Sequence, residues 1–136
     1  MDNEAYHDVK ISFGRCLVNG DLIQKFYEHF LDSDPRLPFM FENTNFSEQR
    51  ELLSHSINLV ILFAGGSEKG KEGLSKVRKS HSKKELNIPP EMYPLWINSF
   101  LETVKEMDEK LDEKVLGEWE EVLNIAVDYI KSGYDE

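Results

Sequence analysis

The chain has 136 residues, enough for one domain with one sizeable core, and its hydrophobic content of 40% and aromatic content of 11% are typical of a globular protein rather than a disordered one. Its formal net charge of −10 argues against a nucleic-acid-binding protein and against attachment to an anionic membrane surface, because both ligands are bound through basic residues. A single cysteine, Cys16, excludes an internal disulfide and a multi-cysteine zinc site.

The sequence contains no segment with the pattern of a secretory signal or of a membrane-spanning helix. The N-terminal stretch MDNEAYHDVK is acidic and polar, which is not the pattern of a secretory signal. The longest apolar run, INLVILFAGG (57–66), is too short to cross a bilayer. We therefore expect a cytoplasmic protein that binds no nucleic acid and no membrane, with residues 1–136 forming a single domain.

The N-terminal part of the chain has helical spacing. A first helix is predicted over about residues 6–16. The apolar residues of a second helix recur every three to four positions: Leu22, Ile23, Phe26, Tyr27, Phe30 and Leu31. Its start signal is Asn19-Gly20-Asp21, and DSDP (32–35) ends it. A further helix should begin at Asn45, because Glu48 stands three residues later as in a capping box.

That helix is predicted to stop at Gly65-Gly66, where a polar, glycine-rich segment, GGSEKGKEG (65–73), begins. Its composition predicts a loop. The segment nearly spells the phosphate-binding loop of nucleotide hydrolases, but Glu72 stands where a magnesium-binding hydroxyl is needed, and no strand precedes it. We therefore interpret the segment as a charged linker.

The C-terminal part is also helical. Leu74, Val77 and His81 fall on one helical face, and Asn87–Pro90 starts another helix because proline is favoured in a first turn. The buried stripe of that helix is Met92, Trp96, Phe100 or Leu101, and Val104, and the stripe of the last helix is Leu111, Val115, Trp119, Val122, Ala126 and Tyr129. No alternating strand pattern occurs. The pattern predicts an all-α protein with six or seven helices.

His81 is the candidate for chemistry among four histidines. No HxxxH or CxxC pair predicts a zinc site, and Cys16 lacks a helix N-terminus or a glycine turn that would activate it as a nucleophile. A histidine on an apolar stripe is more often a satisfied core residue than a ligand. An imidazole directed into an aromatic-walled slot nevertheless suits one partner well, the iron of a haem.

Five segments occur in an order that belongs to a known family: KFYEHFLDSDP (25–35), FENTNFSEQRELL (41–53), the segment around His81, IPPEMYPLW (88–96) and GEWEEVL (117–123). From about residue 13 to residue 134 the chain resembles the globins, in particular the short single-domain bacterial haemoglobins. The resemblance implies a globin fold, a three-over-three-like sandwich of six to seven helices around a haem pocket that holds haem b and its iron.

The resemblance also assigns roles on the two sides of that haem. His81 matches the proximal histidine that binds the iron, and Phe41 matches the phenylalanine on the porphyrin face. Tyr27 falls where many bacterial globins place a distal tyrosine. Gln49 falls where the distal helix first faces the iron, and Leu53 would close the distal side one turn later. A phenol O–H and an amide N–H are two donors that slow the departure of a bound gas.

Further haem contacts are expected on the proximal side. Ser80 matches a position whose hydroxyl orients the proximal ring, and the carbonyl of Val77 is a second candidate for that role. Ile88 and Tyr93 come from the segment after His81. The step of twelve residues from His81 to Tyr93 is slightly longer than in some bacterial haemoglobins.

The resemblance implies a haem-binding globin that reversibly binds oxygen, carbon monoxide or nitric oxide. Two alternatives stay open: a free-standing haem gas sensor that signals through a protein partner or a homodimer, and a haem-free globin-fold interaction module. An enzymatic role is also left open, as a nitric-oxide dioxygenase with an external reductase or as a peroxidase-type side activity. Aromatic residues such as Phe26 and Trp96 would be core in any helical bundle, and Tyr27 also fits a core tyrosine bonded to a carbonyl.

Overall fold

A computed structural model describes residues 2–136. Its helices are α1 (Asn3–Val18), α2 (Leu22–Asp32), α3 (Arg36–Met40), α4 (Phe46–Ala64), α5 (Glu68–Ser80), a 3-10 turn (Pro90–Met92), α6 (Tyr93–Met107) and α7 (Glu113–Lys131). Seven α-helices and no strand in this range confirm the predicted all-α class. Over the same range, every helix is too short or too polar to pass through a bilayer.

Side-chain caps explain why most of the helices begin where they do. The first N–H groups of a helix have no partner inside it, so a side-chain oxygen just before the helix stabilises the start. Five carboxylate, amide or hydroxyl groups act in this way: Asp2, Asp21, Asn45, Ser67 and Asp112. The predicted starts at Asp21 and Asn45 are therefore confirmed.

The predicted loop over residues 65–73 is wrong from Glu68 onward, because α5 begins there, with Ser67 as its N-cap. The two glycines inside the helix are explained by packing. A Cβ on Gly70 would lie 2.5 Å from the Phe63 backbone nitrogen, and a Cβ on Gly73 would lie 2.5 Å from a Leu59 methyl carbon. Glycine here lets α5 pack closely against α4, an advantage that outweighs its poor helix propensity.

A core of aromatic rings joins α2, α6 and α7. The Phe26 ring on α2 lies 5.7 Å from the Phe100 ring on α6, which in turn lies 5.4 Å from the Trp119 ring on α7. All three side chains are completely buried. Burial of aromatic rings of this size is the largest apolar contribution that individual side chains make to a core.

The closest helix pairs are α4 with α5 and α2 with α6. Helices α1, α2 and α7 each pack against both α4 and α6. The residues predicted to bind a haem therefore lie mainly on these two closely packed pairs.

A buried carboxylate, Asp108, ties α1 to the end of α6. It is 2% exposed and accepts two hydrogen bonds from Arg15, at 2.5 and 2.9 Å, and one from the Ser12 hydroxyl at 2.6 Å. Ser12 in turn accepts from the Trp119 indole at 2.8 Å. Burial alone would raise the pKa of Asp108, but the hydrogen bonds from Arg15, Ser12 and the Lys110 backbone outweigh it and lower that pKa.

We predict that Asp108→Asn lowers the free energy of unfolding at pH 7 by about 2–4 kcal/mol, because Arg15 loses its ionic partner. Since the folded-state pKa is lowered, the carboxylate stabilises the fold above the unfolded pKa near 3.8, and this contribution is lost as pH falls through the folded-state pKa. Urea unfolding at pH 7 and in acid would show the difference between variant and parent shrinking below about pH 4.

The control is Asp128→Asn, whose side chain is 72% exposed and whose loss should change stability by less than about 0.5 kcal/mol. Equal effects of the two substitutions at pH 7 would contradict the prediction.

Candidate functional site

The end of α5 positions the His81 ring. The backbone N–H of His81 donates to the Val77 carbonyl at 3.0 Å, and the Ser80 hydroxyl donates to the same carbonyl at 3.0 Å. The Ser80 oxygen also lies 3.1 Å from His81 Nδ1. When the hydroxyl hydrogen lies on the carbonyl, the Ser80 oxygen accepts from a proton on Nδ1, and Nε2 then keeps its lone pair.

The surroundings keep this ring neutral. Burial lowers the pKa of His81, and hydrogen bonding to the Val77 carbonyl opposes that shift only in part. A neutral imidazole with a lone pair on one nitrogen is the form that binds a metal.

Two residues after the helix lie against the same histidine. The backbone N–H of Ile88 donates to the His81 carbonyl at 3.3 Å, which folds the loop back on the helix end. The Tyr93 ring lies 6.5 Å from the His81 ring, tilted by 30°. Tyr93 is buried, and burial raises its pKa to about 12, so it stays a phenol. Val77, Ser80, His81, Ile88 and Tyr93 therefore form one group, here called the α5 group.

A second group surrounds Tyr27 on α2. Its ring contacts Phe41, which follows α3, at a centroid distance of 6.3 Å, and Phe46, the first residue of α4, at 5.5 Å. The Phe41 and Phe46 rings are stacked at 6.3 Å. Phe46 belongs to the segment FENTNFSEQRELL (41–53), but the sequence did not single it out as a site residue. The structure adds it to the candidate site, and these residues with Gln49 and Leu53 are called the α2–α4 group.

Tyr27 and Gln49 interact inside the α2–α4 group. Burial raises the pKa of Tyr27, and the Gln49 amide, which interacts with the phenol oxygen, opposes this shift. Gln49 is half-buried in the first turns of α4. Leu53 is buried one helical turn later, on the same face. The group therefore combines a neutral hydroxyl and a neutral amide with apolar walls.

Among residues 2–136 no hydrogen bond or aromatic contact joins the two groups. His55, two residues beyond Leu53, is exposed, as its position around the helix predicts. Two cavities occur elsewhere: one of about 160 Å³ between α6 and α7, and one of about 630 Å³ beside the end of α5. His81, Tyr27 and Gln49 line neither of them.

These residues fit a haem. A porphyrin brings four nitrogen ligands of its own and needs one more from the protein, which a neutral imidazole with a lone pair on Nε2 supplies. The flat apolar faces of the macrocycle suit aromatic walls such as Phe41 and Phe46.

Comparison with known proteins gives two similar chains and no matching family model. A crystal structure of a protein from Pseudomonas aeruginosa PAO1, described as structurally highly homologous to a human hemoglobin, is 33% identical, with 97% of this chain and 99% of that chain covered and a TM-score of 0.91. A flavohemoprotein of Oceanobacillus iheyensis is 27% identical over 132 residues, which are 94% of this chain and 32% of the relative. The chain thus spans about a third of the length of this curated relative.

Cys16 on α1 is completely buried and belongs to neither group. Burial raises the pKa of its thiol to about 12, and the Asp108 charge acts in the same direction. Only the thiolate is a strong nucleophile, so this cysteine packs and does not react.

We predict that the native protein at pH 8 does not react with a disulfide-exchange thiol reagent within the time in which the denatured protein reacts fully, because Cys16 is neither accessible nor ionised. The absorbance of the released chromophore measures the reaction, and the denatured sample is the control. Stoichiometric labelling of the folded protein at the same rate would contradict the prediction.

Proposed function

The chain belongs to the globin family, and from this premise we propose that it binds haem b through His81 and reversibly binds a diatomic gas on the side of Tyr27 and Gln49. The globin fold expected from the sequence, all-α with six to seven helices, is confirmed by the solved structure that it matches. The observation that carries the proposal is the setting of the His81 ring, whose pKa is lowered by burial and whose Nδ1 lies 3.1 Å from the Ser80 hydroxyl, a partner that allows Nε2 to keep its lone pair.

A bound haem supplies an iron that takes one ligand from the protein and one small ligand such as oxygen, carbon monoxide or nitric oxide. His81 holds the metal, and Ser80 and the Val77 carbonyl hold the ring orientation. Phe41 and Leu53 exclude water from the apolar faces. Tyr93 and Ile88 limit the movement of the ring and of the loop after it.

The polar residues across the cleft discriminate between gases by hydrogen bonding. The Tyr27 hydroxyl and the Gln49 amide both donate, so a gas that gains negative charge on its outer atom is held longer than carbon monoxide, which gains little. A glutamine does not titrate near neutral pH and does not shuttle protons as a histidine would. This pairing favours retention of a gas over acid–base chemistry.

The same residues also help to decide between the other candidate functions. A half-buried neutral histidine, together with the polar pair Tyr27 and Gln49, favours a haem protein over a haem-free interaction module. Nitric-oxide dioxygenation would draw electrons from an external reductase, and one similar chain is a flavohemoprotein. The external reductase, the homodimer and the cytoplasmic location stay predictions from the sequence.

We predict that the purified protein has an intense violet absorption band that shifts on reduction and on addition of carbon monoxide, and that His81→Ala loses it. His55→Ala is the matched control, since His55 is exposed and should leave the spectrum unchanged. Circular dichroism would establish that both variants keep their helices. A colourless parent protein, or an unchanged spectrum in the His81 variant, would overturn the proposal.

Removal of either donor should shorten the lifetime of bound oxygen. We expect oxygen to dissociate about tenfold faster from Tyr27→Phe and from Gln49→Leu, because a hydrogen bond in an apolar cleft stabilises by about 1–1.5 kcal/mol. Stopped-flow mixing with excess carbon monoxide measures this rate. Tyr6→Phe, which removes the same hydroxyl from half-buried Tyr6 on α1, should leave it unchanged; unchanged rates in the first two variants would disprove the assignment.

A further inference from the structure

Basic residues are concentrated on α5 and the loop after it, although the protein as a whole is acidic. Of 16 lysines and arginines, seven lie between residues 69 and 84: Lys69, Lys71, Lys76, Arg78, Lys79, Lys83 and Lys84. The formal net charge of the whole chain is −10. A local excess of cations on such a background attracts anions to one face of the molecule.

The larger cavity opens on that face. It measures about 630 Å³ and lies between the last turn of α5, the following loop and the C-terminal residues; it is called the basic groove. Three of its lining side chains are cationic, Arg78, Lys79 and Lys84, and two are anionic, Glu85 and Glu136.

Arg78, the arginine of the groove, already forms an ion pair with a carboxylate of the same chain, Glu136. Both terminal nitrogens of Arg78 donate to the two Glu136 carboxylate oxygens, at 2.8 and 2.6 Å. Arg78 Nε donates to the Tyr129 carbonyl at 3.2 Å, and the guanidinium lies 5.3 Å from the centre of the Tyr129 ring. The guanidinium is therefore held with its two-pronged edge towards the groove, in the geometry that binds carboxylate or phosphate.

The Glu136 carboxylate is only weakly bound to Arg78. The Glu136 side chain is 64% exposed and the Arg78 side chain 24% exposed, so their ion pair is screened by water and salt. A soluble anion with more than one charge can displace Glu136, because it would contact the guanidinium and the two lysines together.

A hydroxyl group also lines the groove. The Ser82 side chain is 5% exposed and makes no hydrogen bond within residues 2–136, and its oxygen is open to solvent on the groove side. A hydroxyl in this position can donate to an anion in the groove.

We propose that the basic groove binds a small multivalent anion bearing phosphate or carboxylate groups, with the Arg78 fork, Lys79 and Lys84 as its ligands and Glu136 as its internal competitor. The site is new relative to the haem cleft, since none of these residues belongs to the α5 group or the α2–α4 group.

Binding of an anion in the basic groove would affect His81 through the loop that follows α5. Ser82 follows His81 directly, and the C-terminal Tyr134 holds the loop at two points. The Lys83 N–H donates to the Tyr134 carbonyl at 2.7 Å, and the Tyr134 hydroxyl donates to the Asn87 side chain at 2.6 Å. An anion that displaces Glu136 shifts the C-terminal segment and with it the residue next to the metal ligand. This coupling rests on the proposed haem function, whereas the anion site itself does not.

The test is titration calorimetry of the full chain with pyrophosphate and, separately, with citrate at low ionic strength. One molecule of anion should bind per chain, and the ratio of the two affinities identifies the phosphate or the carboxylate class. Glu136→Gln should tighten binding about two- to fivefold, the range expected for removing a surface ion pair that competes. Lys84→Gln should weaken it by a similar factor.

The matched control is Glu102→Gln, which removes the same charge from a 57% exposed glutamate on α6 and should leave the affinity unchanged. No binding of either anion, or equal effects of the two glutamate substitutions, would overturn the site.

In the haem-loaded protein, pyrophosphate should change the carbon monoxide rebinding rate after photolysis at least about twofold, and Glu136→Gln should lower the concentration needed. Binding without this change would reject the coupling alone. Loss of the haem spectrum with retained anion binding would reject the proposed function alone.

Discussion

One serine hydroxyl at the end of a helix controls the proposed chemistry of the molecule. Ser80 donates to the Val77 carbonyl, which also accepts from the His81 backbone N–H, and its oxygen faces Nδ1 of His81. The helix end and the ligand orientation are thus a single hydrogen-bonded arrangement, and the ring is held by the backbone rather than by a charged group. Any movement of α5 therefore moves the nitrogen that would bind the metal.

The position of α5 depends in turn on two close contacts. Gly70 and Gly73 bring the helix against α4 at distances that no side chain would allow. At the other end, Arg78 and the loop after α5 are tied to the C-terminal residues by hydrogen bonds. The α2 side of the α2–α4 group is positioned by the aromatic core that joins α2 to α6 and α7. Its α4 side is positioned by the packing of α4 on α5 and α7, so the placement of the two groups depends on the whole helix packing.

The candidate site carries no charged side chain, and the buried charge of the protein lies elsewhere. The buried ion Asp108 lies at the junction of α1 and α6, where four donors satisfy its carboxylate. The polar groups of the candidate site, Tyr27, Gln49 and His81, are uncharged at neutral pH, and two of them have pKa values that burial shifts towards the neutral form. A site without net charge does not attract anions electrostatically, so it does not favour an anion over a neutral diatomic gas. The basic residues of α5 lie on the outside of the molecule.

The sequence by itself determined the helical class, the starts at Asp21 and Asn45, and the face of α5 that carries His81, because spacing and capping are local properties. The loop prediction failed over residues 68–73, where glycine suggested a loop, because close packing on α4 is a contact between segments that composition does not encode. The tertiary structure alone decided the contact of Phe46 with Tyr27 and the contact of the C-terminal segment with the loop after His81. Each depends on distances between residues far apart in the chain, and the physical reason is that helix packing geometry, not local preference, sets those distances.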